Sequence, residues 1–424
     1  MKSSSPADGA FALRDGALHC ERVPLEAIAQ RFGTPTYVYS RAAIEAAFRS
    51  YRDALAGRPA LVCYAMKANS NLAVLDLLAR LGAGFDIVSG GELARALAAG
   101  GDPRKVVFSG VGKTEEEIAQ ALAAGILCFN LESVAELETI ERVAARLGKR
   151  APVSVRVNPD VDPKTHRYIA TGLKSNKFGV AWSDAVALYR RAAKLAHVEV
   201  VGIDCHIGSQ ITELKPYVDA ADLVLDLVDE LQRDGIRLHH VDFGGGLGIC
   251  YRDEVPPAIG ELIAALLARV DARGHADKTI LVEPGRSVVG NAGALLARTI
   301  VVKRGAERNF AIVDAAMNDL MRPALYDAWM DVQPVRPRDS GAIVCDVVGP
   351  VCESGDWLAR ERALALAPGD LIAVMGAGAY GMSMASNYNT RGRAAEVVVD
   401  GDRVYCVRRR ERVEDLFAGE SVLP

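Results

Sequence analysis

The chain has 424 residues, half of them apolar and a quarter charged, the proportions of a globular protein too long for one small domain. A formal charge of −4 with no basic block gives nucleic acid and anionic membranes no electrostatic hold, and no run approaches the ~20 apolar residues of a membrane span. Eight scattered cysteines without CxxC pairs, and an opening segment without a signal-peptide core, lead us to expect reduced thiols in a cytoplasmic protein, and seven dispersed histidines without HExxH spacing argue against a metal site.

The first expected element is a hairpin, Ala12–His19, turning at Asp15-Gly16. From about residue 60 the pattern repeats. Strand-like runs lie at Leu61–Ala68, Gly84–Val88, Lys105–Ser109, Ile126–Asn130, Val153–Asn158, Val200–His206, His239–Phe243 and Thr279–Glu283. Between most of them, segments with the 3.6-residue helical period cover Leu72–Leu81, Glu92–Ala99, Glu115–Ala124, Val134–Leu147, Ala185–Ala196, Tyr217–Leu231 and Ile259–Val270. Strands alternating with helices imply parallel strands joined by helical crossovers, and eight such units in roughly 230 residues fit a closed (β/α)8 barrel. An open doubly wound sheet is the competitor, although no GxGxxG follows the first strand.

After about residue 292 short β-branched runs take over: Arg298–Lys303, Phe310–Asp314, Ala342–Val348, Asp370–Val374, Glu396–Val399 and Arg403–Val407, the last two joined by Asp400-Gly401. The expected organisation is an α/β barrel over residues 37–291, a mostly-β domain over 292–424, and an N-terminal segment, 1–36, that joins the β domain.

Active sites of such barrels lie at the C-terminal ends of the strands. The first strand ends in Lys67, the second in Asp86 and Ser89, the fifth in Arg156 and Asn158, and the sixth in His206, ahead of Gly208-Ser209-Gln210. The seventh runs through Asp242 into Gly244-Gly245-Gly246, and the eighth ends in Glu283-Pro284-Gly285-Arg286. Strands must end in something polar, but Asn, Asp, Gly and Ser would suffice; a Lys, an Arg, a His and a Glu at one mouth ask for another reason. A lysine amine in an apolar wall can attack a carbonyl, or can simply snorkel to water. Successive glycines let backbone N–H groups approach a phosphate, or make a tight turn. Glu283 could keep a pyridine nitrogen protonated, and His206 could cover a ring face or be an ordinary core histidine. Together these groups suit pyridoxal 5′-phosphate. A phosphorylated sugar would use the lysine and glycines but leave Glu283 no ring nitrogen.

From about Thr34 to Phe417 the chain also resembles the diaminopimelate decarboxylases. They belong to the fold-type III pyridoxal-phosphate enzymes, which include ornithine and arginine decarboxylases and, more distantly, alanine racemase. The likeness is carried by Tyr64-Ala65-Met66-Lys67-Ala68-Asn69, by Phe85-Asp86-Ile87-Val88-Ser89-Gly90-Gly91-Glu92-Leu93, by His206-Ile207-Gly208-Ser209-Gln210 and by Glu283-Pro284-Gly285-Arg286. The resemblance implies a cofactor held by Lys67, Asp86, His206, Ser209, Gly244, Gly245, Gly246, Glu283, Gly285, Arg286 and Tyr380, the last from Gly378-Ala379-Tyr380-Gly381. Narrower motifs are similar to those of this decarboxylase: Arg156-Val157-Asn158-Pro159-Asp160, Gly172-Leu173-Lys174-Ser175-Asn176-Lys177-Phe178-Gly179, Met317–Tyr326 and Cys352-Glu353-Ser354-Gly355-Asp356.

By that resemblance Arg286, Arg322, Tyr326, Glu353 and Tyr380 bind the substrate. Lys67 and Cys352 are catalytic, and Cys352 and Glu353 come from the other subunit of a homodimer. The implied reaction converts meso-2,6-diaminopimelate to L-lysine and CO2. A related decarboxylase of ornithine, lysine, arginine or carboxynorspermidine is the alternative. A non-catalytic regulator on the same scaffold could drop Lys67 or Cys352; this chain keeps both. One departure stands out: Gly392, in Asn389-Thr390-Arg391-Gly392-Arg393, replaces an expected proline and should loosen a turn.

Overall fold

The structure, a computed structural model, describes residues 9–162, 176–338 and 341–424. Its contacts divide the chain into two units. One is drawn from 48–249 and 255–287, the other from the stretch up to 47, from 250–254, and from 288 onward.

The first unit is a barrel of eight parallel strands: β1 (Ala60–Ala65), β2 (Gly84–Ile87), β3 (Val106–Phe108), β4 (Cys128–Leu131), β5 (Ala151–Asn158), β6 (Val198–Asp204), β7 (His240–Asp242) and β8 (Thr279–Val282). Each pairs with the next, and β8 returns to β1. The strands are apolar on both faces because a closed parallel sheet is covered on both. Cys63, Val107, Cys128 and Leu281 pack together as a buried cluster.

The helices after the early strands begin with side-chain caps. Asn71, Ser89, Thr114 and Ser133 each accept a backbone N–H of the first turn, and Thr114 forms a reciprocal capping box with Glu117. Left-handed Gly125 and Gly148 close two of these helices. Such caps fix the path of the loops at the C-terminal ends of the strands, where the polar residues collect.

The second unit is built on a nine-stranded sheet, with a three-stranded sheet formed by Phe11–Arg14, Ala17–Cys20 and Val23–Pro24. The N-terminal hairpin turns through Asp15 and Gly16, both at positive φ. Leu18, Cys20, Leu25 and Ile28 share a buried cluster with Val38, Leu296, Ala373 and Val397, so the early chain and the late strands form one core. Thr36–Ser40 pairs antiparallel with Gly293–Lys303 and parallel with Ala395–Asp400. Hydrogen bonding therefore draws residues 36–40 into this sheet, whereas the sequence reading began the barrel at residue 37.

Two further strands, Val332–Pro334 and Trp357–Leu364, and two amphipathic helices, Leu25–Phe32 and Arg41–Ala54, add to the expected elements. At Gly392 a Cβ would lie 2.6 Å from the carbonyl oxygen of Glu411, so the glycine permits a close backbone approach. Among the described residues no helix is long and apolar enough to cross a membrane.

Candidate active site

The chain leaves β1 at Ala65 and makes one 3₁₀ turn, Met66–Ala68, so Lys67 projects from a turn and not from the strand itself. The Tyr64 hydroxyl donates to Asn69 O at 3.0 Å and braces that turn. Lys67 Nζ lies 2.7 Å from Asp86 Oδ2 at the end of β2. The carboxylate is buried while the lysine side chain remains 35% exposed, so the amine is aimed from inside and reachable from outside.

Beyond β6, His206 Nδ1 accepts the backbone N–H of Gly245 at 3.1 Å. Accepting at Nδ1 requires a ring without a proton there. Burial, followed by the positive charges of Arg156 and Lys67, holds the imidazole's pKa well below its ordinary value. The ring is neutral across the physiological range.

The glycine run is threaded between two backbones. A Cβ on Gly245 would lie 2.0 Å from Glu283 O, and one on Gly246, at φ +102°, would lie 2.2 Å from Gly208 O. Gly244 N donates to Asp242 Oδ1 at 2.8 Å and Gly244 O accepts from Glu283 N at 2.7 Å, which registers the turn against the end of β8. Gly285 passes close to the end of β1 and the turn after it: a Cβ there would lie 3.2 Å from Ala65 Cβ and 3.0 Å from Ala68 Cβ. Arg286 is buried and its Nη2 donates to Ser209 Oγ at 2.9 Å.

Behind the lysine lies a feature that the spacing of residues along the chain could not reveal. Asp204, Asp242 and Glu283, from the ends of β6, β7 and β8, are all buried, and one carboxylate oxygen of each lies within 4.8 Å of the others. Burial pushes all three toward the protonated form, and the Asp242 charge adds to it at Asp204 and Glu283; Asp242 itself rises from 3.8 to about 7 by burial, against the hydrogen bond from Gly244 N and with repulsion from Asp86. Arg156 counters from one side, with Nε 4.0 Å from Asp204, and Lys67 acts on Glu283 from another. Oδ1 of Asp86 has no hydrogen-bond partner among the described residues. The barrel mouth thus presents a cluster of buried carboxyl groups, a flat neutral imidazole, a close-packed glycine turn and, among the described residues, the accessible amine of Lys67.

The other expected site residues belong to the second unit. Arg322 is buried, with Cζ 4.6 Å from the Tyr251 ring centroid and Nη1 donating to Met330 Sδ at 3.4 Å. It opens the short helix Arg322–Tyr326, which Tyr326 closes. Cys352 and Glu353 are exposed on a turn. The carboxylate of Asp356 accepts from Val351 N and Met317 N, each at 2.7 Å, and so ties that turn to the segment leading into Arg322. Cys352 N donates to Asn389 Oδ1 at 3.1 Å. Tyr380 is half-buried in a left-handed conformation, φ +56°. Residues 172–175 of the Gly172–Gly179 motif lie outside the described residues.

A family model for the pyridoxal-dependent decarboxylase, pyridoxal binding domain, matches residues 41–290. Diaminopimelate decarboxylase of Pseudomonas aeruginosa is 63% identical over 414 residues, covering 98% of this chain and 99% of that protein. The chain belongs to the diaminopimelate decarboxylase family. Solved members share its fold. Diaminopimelate decarboxylase from M. jannaschii in co-complex with L-lysine superposes with a TM-score of 0.94 at 38% identity, over 99% of both chains. The enzyme from Helicobacter pylori complexed with L-lysine gives 0.89 at 44% identity, over 93% of this chain and 98% of that one.

Against this family background, the residues that sequence reasoning underrated are Asp204 and Asp242. Each stands alone in its own segment, with nothing nearby to suggest a partner. The available signal was an Asp at the end of a barrel strand, a place where burial of a carboxylate demands a cation or a proton.

Proposed function

We infer that the chain is a pyridoxal 5′-phosphate-dependent carboxy-lyase that converts meso-2,6-diaminopimelate to L-lysine and CO2, the step that ends lysine biosynthesis. The observation that carries this reading is the Lys67 amine, 2.7 Å from buried Asp86, in a barrel mouth that also holds the Asp204, Asp242 and Glu283 carboxylates. Three buried carboxylates held toward their protonated forms fit a group that brings a cation with it. A protonated pyridine nitrogen is such a group, and Glu283 is the acid that would face it. The glycine turn, with Arg286 and Ser209 beside it, offers N–H and hydroxyl donors suited to a phosphate. His206, neutral and held by Gly245, suits a ring face.

Bound pyridoxal phosphate supplies an aldehyde carbon and an electron-withdrawing ring. The chain's own residues do the remaining work. Lys67 provides the amine that anchors the aldehyde, and Asp86 orients it. Glu283 would face the ring nitrogen and hold its proton in place, and the electron-withdrawing ring would favour loss of the carboxylate. Cys352 delivers a proton to the carbon that has lost CO2. A protonated thiol is a competent acid toward such a carbon. Arg286, Arg322 and Tyr326 hold the substrate's distal carboxylate, where a guanidinium fork is better matched than a point charge, and Tyr380 adds a hydroxyl near the cofactor. Glu353 meets the distal ammonium.

In the active homodimer, Cys352 and Glu353 of the partner subunit complete each site, and the protein works in the cytoplasm. Incubation with meso-diaminopimelate, ornithine, lysine and arginine tests the assignment. Carbon dioxide release with stoichiometric L-lysine from the first alone is expected. Turnover of ornithine or arginine in its place would assign the chain to a diamine-forming relative, and no release from any of the four would leave a regulator.

A further inference from the structure

Glu132 belongs to none of the roles above. It directly follows β4, and its side chain is 2% exposed. Its carboxylate collects donors from three separate places. Oε1 accepts from Arg156 Nη1 at 3.2 Å and from Gly110 N at 3.1 Å, and Oε2 accepts from Gly179 N at 2.6 Å. Its own backbone N–H donates to Glu136, whose other oxygen pairs at 2.6 Å with the buried ammonium of Lys113. The ends of β3, β4 and β5 are thereby knotted around one carboxylate.

Arg156 carries the knot inward. Its Nη2 donates to His206 O at 3.4 Å, its Nε lies 4.0 Å from Asp204, and its Cζ stands 5.0 Å from the Phe178 ring centroid. Burial works against its charge; the carboxylates around it, Glu132 foremost, then Asp204, Glu283 and Asp86, more than restore it. A guanidinium so placed bears on the backbone of His206, the imidazole that would cover the cofactor ring, and on the buried carboxylates gathered with Asp204.

We propose that Glu132 is a positioning residue for the decarboxylation, acting through Arg156: it fixes the guanidinium against the His206 backbone and beside Asp204, and so sets the cofactor's ring-binding surface. The proposal rests on the pyridoxal-phosphate reading given above. A purely structural ion pair would use the same contacts, but losing it would lower stability without separating kcat from KM.

The test is made on the holoenzyme with Glu132→Gln, Arg156→Met and the double variant. Glu132→Gln should lower kcat at least about tenfold while KM stays within about threefold, and should weaken pyridoxal phosphate binding, read by equilibrium dialysis without substrate, by about tenfold. Arg156→Met should lose as much, and the double variant no more than the worse single, because both remove one linkage. Wild-type kcat and cofactor affinity in Glu132→Gln, an effect on KM alone, or losses that multiply in the double variant would overturn the proposal. If Glu132→Gln fails to fold, Arg156→Lys decides in its place: it keeps the charge and gives up the planar fork, so the same two losses are expected and wild-type values refute it. Cofactor affinity is measured without substrate, so a wrong substrate assignment leaves that arm intact, whereas a wild-type protein that binds no cofactor defeats the parent reading instead.

Discussion

At the scale of single residues, the chemistry depends on how buried charge is balanced. Lys67, His206 and Glu283 were legible in the sequence because each is an odd residue at the end of an apolar run, and odd residues there are costly to bury. The carboxylates of Asp204 and Asp242 meet Glu283 only because the barrel closes, and closure leaves no trace in local spacing. This cluster gives a pH prediction. In the cofactor-free protein the folded-state pKa of Asp242 stands near 7, above its ordinary 3.8. The stability it contributes is therefore complete below about pH 4 and is lost as pH rises through 7, a change of the order of 4 kcal/mol. His206, shifted downward, acts in the opposite sense: its contribution is present above its ordinary value of 6.5 and is lost as pH falls. Asp242→Asn should therefore flatten the fall of the thermal midpoint between pH 4 and 7. An unchanged slope would mean that the proton resides elsewhere in the cluster.

At the scale of elements, the eight strands and the helices between them were readable because one pattern repeats, and the ends of Glu115–Ala124 and Val134–Leu147 were marked by capping residues and glycines. Thr36–Ser40 escaped because five buried residues running straight into a helix carry no alternation. Trp357–Leu364 escaped because its charged middle looks helical, although Arg360 and Glu361 lie at a bulge in the pairing, where Glu361 takes φ +55° and both are exposed. The glycine turn was readable as a turn, but its reason lies in packing against Glu283 and Gly208. Gly245→Ala places a methyl group 2.0 Å from a backbone oxygen that cannot yield without moving β8. We expect it to cost upwards of about 2 kcal/mol and to abolish retention of pyridoxal phosphate on gel filtration. A variant with wild-type stability and bound cofactor would show that the turn is softer than its geometry.

At the scale of the molecule, the residues proposed for the reaction fall into two sets: the amine and ring-binding groups in the barrel unit, the thiol and Glu353 in the β unit. Sequence patterns showed both units, and the early chain was expected to join the β domain, as its shared core demonstrates. The edge between the units was harder to place because strand pairing, not composition, decides where residues 36–40 belong. If the thiol is supplied across a two-fold axis, Lys67→Ala and Cys352→Ala homodimers are each inactive, and mixing them under subunit exchange should restore up to about a quarter of wild-type activity, since hybrids keep one intact site. No recovery on demonstrated exchange would place both residues in one subunit's site.

The whole account depends on Lys67 as the cofactor's anchor. Borohydride reduction of the holoenzyme followed by peptide mass mapping should find the pyridoxyl phosphate mass on Lys67 alone, with loss of the visible cofactor band. A label on another lysine, or reduced protein carrying no label with the band unchanged, would contradict it.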